Sequence, residues 1–146
     1  MHFSVLYSLK FLRIYVIICW LISVYKGSLV LSKHNLRISW ETQGGHIEEG
    51  ETPLEAAKRE LYEESGAVEY TIRPIFDYRS GDKDNYADGQ VFFAEITKFE
   101  PIPERSEMRD IGFFDHLTTC LTYKDITPVL IETANKLKIT NIKIKK

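Results

Sequence analysis

The chain is short of the features that would take it out of the ordinary globular class. Its 146 residues hold two cysteines, Cys19 and Cys120, and no Cys-x-x-Cys pair, so neither a disulfide scaffold nor a cysteine zinc site is expected. Both are read as reduced core thiols of a cytoplasmic protein. The net charge is only -2, which argues against a broad nucleic-acid-binding face and a stable nucleic-acid partner. A phosphate ligand would have to be held by a metal or by a few placed bases. Long apolar runs are scarce too. The stretch Ile14 to Tyr25 has 12 residues, against the roughly 20 that a spanning helix needs, so no membrane partner is expected. Lys10 and Arg13 precede it in the outline of a signal peptide. However, no small-x-small cleavage site follows, and its Ile, Val, Tyr and Trp favour a buried strand. A membrane-tethered or exported protein rests on that run alone. With no repeat or low-complexity linker, residues 1–146 read as one domain, 1–10 being an extra N-terminal segment.

The pattern along the chain predicts strands over 11–25 and 28–32 around a turn at Lys26-Gly27, and a helix over 52–65. Strands follow at 70–79 and 90–99, joined by a ten-residue polar loop from Ser80 to Gly89, and a short one at 111–115. A last helix is expected over 128–139, with Thr127 as N-cap, Pro128 in the first turn, and a stripe of Leu130, Ile131, Ala134 and Leu137. The basic end, Lys143 to Lys146, reads as solvated. Strands and two helices in this order suggest a mixed sheet with helices on its faces, an α/β (α+β) fold.

The chemistry concentrates between Gly45 and Ala67. Thr52, Pro53 and Glu55 form a capping box, and Gly66 is a left-handed C-cap, so local signals bound the helix on both sides. At about 100° per residue, Glu60, Glu63 and Glu64 share an arc of about 100°. Three carboxylates on one face repel unless a cation sits among them, and hard oxygen ligands at this density suit Mg²⁺ or Mn²⁺. Ala56 and Ala57 are expected beside that face, leaving room for a bulky ligand, while Leu54 and Leu61 are expected to dock the helix. Arg59 points to one side and is expected to hold a box carboxylate or the loop by a bidentate pair. Glu51 is expected to fix the loop into the helix. Gly45 and Gly50 read as turn glycines.

The stretch resembles the Nudix signature, Gly-x5-Glu-x7-Arg-Glu-U-x-Glu-Glu-x-Gly-U with U apolar. Gly45, Glu51, Arg59, Glu60, Leu61, Glu63, Glu64, Gly66 and Ala67 fill its defined positions. The resemblance implies an α/β/α sandwich around a mixed β-sheet. It also implies metal-dependent hydrolysis of a pyrophosphate bond in a nucleoside diphosphate linked to another group. By similarity Glu60, Glu63 and Glu64 are expected as metal ligands, with one of them a candidate general base, and in MutT-like members the carbonyl before the box, here Gly44, also binds metal. A carboxylate from outside the box often completes such a site; Glu107 is the first candidate, with Asp82, Asp84 and Asp88 behind it. The sequence departs from the family at Gln43, where proline is common.

Substrate is less legible. A small MutT-like chain favours a nucleoside triphosphate, an oxidised one such as 8-oxo-dGTP included, and capped RNA 5′ ends are another pyrophosphate substrate. Trp40, Tyr78 and Phe76 are candidates to stack a base, and Lys33, His34 and Arg37 to meet phosphates. A non-catalytic nucleotide-binding or regulatory domain would be expected to lose box glutamates, and all are kept. Isoprenoid diphosphate isomerisation needs a reactive cysteine and metal histidines, which do not form a convincing set. Because family members often dimerise, a homodimer is the default expectation.

Overall fold

Strands that send alternate residues to opposite faces divide the core in two, and a helix closes each half. The structure, a computed structural model, describes residues 2–6, 16–82 and 84–144. In chain order the elements are β1 (His2–Leu6), β2 (Val16–Tyr25), β3 (Ser28–His34), β4 (Trp40–Glu41), β5 (Gly44–His46) and α1 (Pro53–Ser65). There follow β6 (Ala67–Gly81), β7 (Tyr86–Phe99), β8 (Met108–Phe114), β9 (His116–Leu117), α2 (Thr127–Lys136) and β10 (Lys143–Ile144). The main sheet runs β1-β6-β7-β2-β3-β4, with β5 on β2 and β8 on β3. It is mixed because β2 and β7 are parallel while the other pairs in it are antiparallel.

On one face Cys19 and Leu21 of β2, Val30 of β3 and Phe92, Ala94 and Ile96 of β7 pack with Ala56, Ala57 and Leu61 of α1. On the other face Ile22, Leu29, Leu31, Val91 and Phe93 pack with Leu130, Ile131 and Ala134 of α2. The expected α+β sandwich with helices on both faces of a mixed sheet is therefore what forms. No helix among the described residues is long and apolar enough to cross a membrane.

Several boundaries differ from the sequence reading. The predicted strand at 11–25 is described from Val16 onward; residues 11–15 lie outside the described residues. The turn at Lys26-Gly27 forms as expected, both residues taking positive φ (49° and 82°), the two-residue hairpin geometry that matches strand twist. The expected ten-residue loop shrinks, because β6 and β7 stay paired out to Gly81↔Tyr86. Polar side chains do this work. Arg79 clamps Asp88 at 2.6 and 3.0 Å, and Asp82 accepts the Asp84 and Asn85 N–H groups at 2.9 and 2.8 Å.

α2 starts at Thr127 with Ile126 in the cap position, so Thr127 is not the N-cap, and it stops at Lys136. Leu137, expected to extend the apolar stripe, is 41% exposed, and Lys138 turns the chain with φ 59°. Lys143 and Ile144, expected in a solvated tail, pair in parallel with His116 and Leu117. β1 pairs with β6 and was not legible in the sequence.

Both cysteines are free thiols, but only Cys19 is a core residue; Cys120 is exposed and donates to the Ile38 carbonyl at 3.6 Å. Burial pushes the Cys19 thiol up to about 12. A thiol reagent such as Ellman's should therefore titrate one cysteine per native chain, Cys120, and both in denaturant. Rapid labelling of both in the native protein would contradict this burial.

Candidate active site

Local chemistry places α1, and α1 places the site. Thr52 Oγ1 accepts the Glu55 N–H and the Glu55 carboxylate accepts the Thr52 N–H, both at 3.1 Å. Pro53 opens the helix. Gly66 ends it with φ 79°, donating to the Tyr62 carbonyl at 2.8 Å, and a Cβ there would run into the Glu100 carbonyl. Ala56 and Ala57 are fully buried against the sheet. Contrary to the helical-wheel expectation, they do not make room for a ligand; their small size lets the helix lie close to β2. Leu61 docks the helix as expected, whereas Leu54 is 37% exposed and does not.

The carboxylates occupy the opposite edge, held by the segment before the helix. The Gly44 N–H donates to Glu64 Oε1 at 2.6 Å. Gly45 has no side chain where the Glu60 carboxylate rests; a Cβ would stand 2.6 Å from Glu60 Oε1. The departure at Gln43 has a structural use. Its buried amide donates to Ser32 Oγ at 2.9 Å, and Ser32 donates to the Glu64 carbonyl at 2.8 Å, tying the loop to the helix end.

Arg59 organises the rest. Its Nε and Nη2 hold Glu51 at 2.8 and 3.0 Å, its Nη1 donates to Glu60 at 2.8 Å and Glu63 at 3.3 Å, and Nη2 also reaches the His46 carbonyl at 3.2 Å. These bonds set the electrostatics. The Arg59 guanidinium, with the Glu48 N–H, holds the Glu51 carboxyl below its usual range. Burial raises Glu60 despite Arg59. Burial also pushes Glu64 up to about 9, partly offset by the Gly44 N–H, with Glu60, Glu41 and Glu63 adding to the rise.

Glu60, Glu63 and Glu64 line a cleft of about 590 Å³ whose far wall carries Pro103, Arg105, Ser106 and Glu107. Among the described residues no three His, Cys, Asp or Glu side chains are already gathered as a metal cage. The donor set nevertheless fits Mg²⁺ or Mn²⁺. It consists of hard carboxylate oxygens, and one of them is a desolvated carboxyl whose anion lacks a compensating positive charge. Glu60, Glu63 and Glu64 would hold such an ion.

The fold brings Arg59, Glu60, Glu63, Glu64 and Glu107 to one cleft, and Gly44 to its edge. Glu107 is 83% exposed and lies 3.4 Å from His34. Asp82, Asp84 and Asp88 are absent from that lining and serve the β6–β7 turn. The proposed substrate contacts lie elsewhere. Tyr78 and Phe76 are each 1% exposed in the core and offer no face to a base, which corrects that expectation. Trp40 packs edge-on against Phe114 with Lys33 4.9 Å over its ring, and Arg37 pairs with Glu41 at 3.2 Å.

The aromatics that do face a cavity were missed. Trp20 and Tyr123 meet edge to face, 5.7 Å between ring centres. They line a cavity of about 140 Å³ with Thr42, Gly44 and Gly45, and a second of about 870 Å³ that reaches Tyr86 and Asp125. Trp20 lies opposite Gly44 because β2 pairs with β5, a contact no local pattern reveals.

This arrangement belongs to a known family: the NUDIX domain model matches residues 13–126, and the chain is a member of the NUDIX family. Over 98 residues it is 31% identical to YtkD of Bacillus subtilis (strain 168), provisionally named an 8-oxo-dGTP diphosphatase; the match covers 67% of this chain and 61% of that protein. Over 51 residues it is 39% identical to an RNA pyrophosphohydrolase of Mannheimia succiniciproducens, covering 35% of this chain and 26% of the relative. The matches thus span less than two-thirds of either relative's length. Among solved structures, a mutant form of a Bacillus subtilis pyrophosphohydrolase superimposes with TM-score 0.79 at 25% identity, covering 94% of this chain and 90% of that one. The NUDIX domain of Shewanella oneidensis NrtR, solved with ADP ribose, shares the fold at TM-score 0.68 and 16% identity, covering 87% of this chain and 90% of that one.

Proposed function

We propose that this NUDIX protein is a divalent-cation-dependent pyrophosphohydrolase acting on a nucleoside diphosphate linked to another group, with nucleoside triphosphates, oxidised ones such as 8-oxo-dGTP included, as its substrates. The observation that carries the reading is adjacency. Gly44 and Gly45 line the Trp20–Tyr123 cavity and also touch the carboxylate cleft, Gly44 through its N–H on Glu64 and Gly45 against Glu60, so a base seated against the aromatics would have its phosphates beside Glu60, Glu63 and Glu64. The likeness to YtkD supports the same substrate class.

Within this reading Glu60, Glu63 and Glu64 hold Mg²⁺ or Mn²⁺, which when bound neutralises phosphate oxygens and acidifies water. One of these carboxylates accepts the proton of the attacking water. Arg59 fixes Glu60 and Glu63 and ties them through Glu51 to the entering loop, so that the carboxylates are preorganised. A second reading, hydrolysis at RNA 5′ ends, is supported by the likeness to RNA pyrophosphohydrolase. Hydrolysis of a panel of dNTPs, 8-oxo-dGTP, ADP-ribose, diadenosine polyphosphates and 5′-triphosphate RNA with Mg²⁺ or Mn²⁺ decides between them. A folded protein that binds nucleotide and cleaves none of the panel would refute the enzyme reading.

Gly45→Ala tests the site's geometry. The added methyl displaces the Glu60 carboxylate, a flexible side-chain end, and leaves the backbone alone. Mn²⁺ affinity should fall roughly 10-fold while Tm stays nearly unchanged; unchanged metal affinity would remove Glu60 from the proposed ligand set.

A further inference from the structure

Two guanidinium groups line the carboxylate cleft among the described residues, Arg59 and Arg105. Arg59 is committed to Glu51, Glu60, Glu63 and the His46 carbonyl. Arg105 stands in the same cleft as five glutamates, yet it makes no ion pair or hydrogen bond among the described residues. The segment that carries it is nevertheless built. The Glu100 N–H donates to the Gly66 carbonyl at 2.8 Å, the Ser106 N–H to the Pro103 carbonyl at 2.9 Å, and the Met108 N–H to Ser106 Oγ at 3.0 Å. The Asn35 N–H then holds the Glu107 carbonyl at 2.9 Å.

Contacts also link the aromatic cavity to this cleft. Trp20 pairs with Gly44, Gly45 abuts Glu60, and Glu60 shares its cleft with Glu63, Glu64 and, on the facing wall, Arg105. A nucleotide with its base against Trp20 and its pyrophosphate at Glu60 to Glu64 would place its outermost phosphate in the cleft that Arg105 lines. A terminal phosphate is the most highly charged part of such a chain, and the cleft around it is rich in carboxylates. It needs a cation that is not already paired, and a guanidinium offers two parallel N–H donors to non-bridging phosphate oxygens.

We propose that Arg105 receives the terminal phosphate of the substrate and makes the cleft select nucleoside triphosphates over diphosphates. This rests on the nucleotide reading above. The test compares wild type, Arg105→Ala and Arg105→Lys by calorimetric binding of α,β-methylene nucleoside triphosphate and diphosphate analogues with Mg²⁺, beside kcat and KM on the natural pair. Arg105→Ala should weaken the triphosphate analogue roughly 10- to 100-fold and the diphosphate by less than about threefold. The loss should fall mainly on KM, and Arg105→Lys should recover part of it, having the charge without the fork. Equal losses on both analogues, or none on the triphosphate, would overturn the proposal. Analogue binding with this asymmetry but no hydrolysis by wild type would sink the enzyme reading and leave Arg105 in its role. Hydrolysis without the asymmetry would do the reverse, and failure to bind either analogue would overturn both.

Discussion

Glu64→Gln should lower kcat for pyrophosphate hydrolysis by about 10³-fold and leave the fold intact. Glutamine keeps the shape and still accepts the Gly44 N–H, but it cannot become the anion that a divalent cation requires. The same residue ties stability to pH. In the metal-free protein its carboxyl is pushed up to about 9, from 4.5 when unfolded, so the folded state binds the extra proton between those values. The stability it contributes is complete below about pH 4.5 and is lost as pH rises toward 9. Burial shifts Glu60 in the same direction. Thermal melts in chelator should therefore show Tm falling from pH 5 to pH 9. Mg²⁺ should reverse the fall by favouring the anion, and Glu64→Gln should flatten it. A variant that retained wild-type kcat, or a Tm that rose across this window, would rule out this account of Glu64.

Leu61→Ala should destabilise the protein by about 3 kcal/mol, lowering Tm by about 10 °C. Leu61 is fully buried between α1 and the sheet, beside Cys19, Leu21 and Phe92, and truncation leaves a cavity that close-packed neighbours fill poorly. Leu54→Ala is the control. Leu54 lies on the same helix and was expected to share the docking stripe, but it is 37% exposed, and its loss should cost less than about 1 kcal/mol. Chemical denaturation of the two variants measures the difference. Similar losses would mean that α1 sits on the sheet in a different rotation.

That contrast shows where sequence reading stops. The limits of α1 were legible because its signals lie within a few residues: Thr52 and Glu55 bond each other, and Gly66 supplies a left-handed cap. The clustering of Glu60, Glu63 and Glu64 follows from helical period alone. Rotation of the helix on the sheet does not, since Ala56 and Ala57 face inward only because small side chains allow close approach to β2. The polar run after Tyr78 misled for a related reason. Asp88 looked like a loop acid or a spare metal ligand, but across the ladder it is the partner of Arg79.

The aromatic side of the site was the least legible. Trp40 stood next to the signature and was the obvious candidate, whereas Trp20 lay in an apolar run and read as core. Strand pairing sets Trp20 against Gly44, beside a cavity, and Trp40 packs on Phe114. The sequence by itself determined the helix, its caps, its row of carboxylates and the family, because those depend on spacing within about twenty residues. Only the tertiary structure decided which aromatics face a cavity and which arginine of the cleft has no partner among the described residues, because both depend on contacts between segments far apart in the chain.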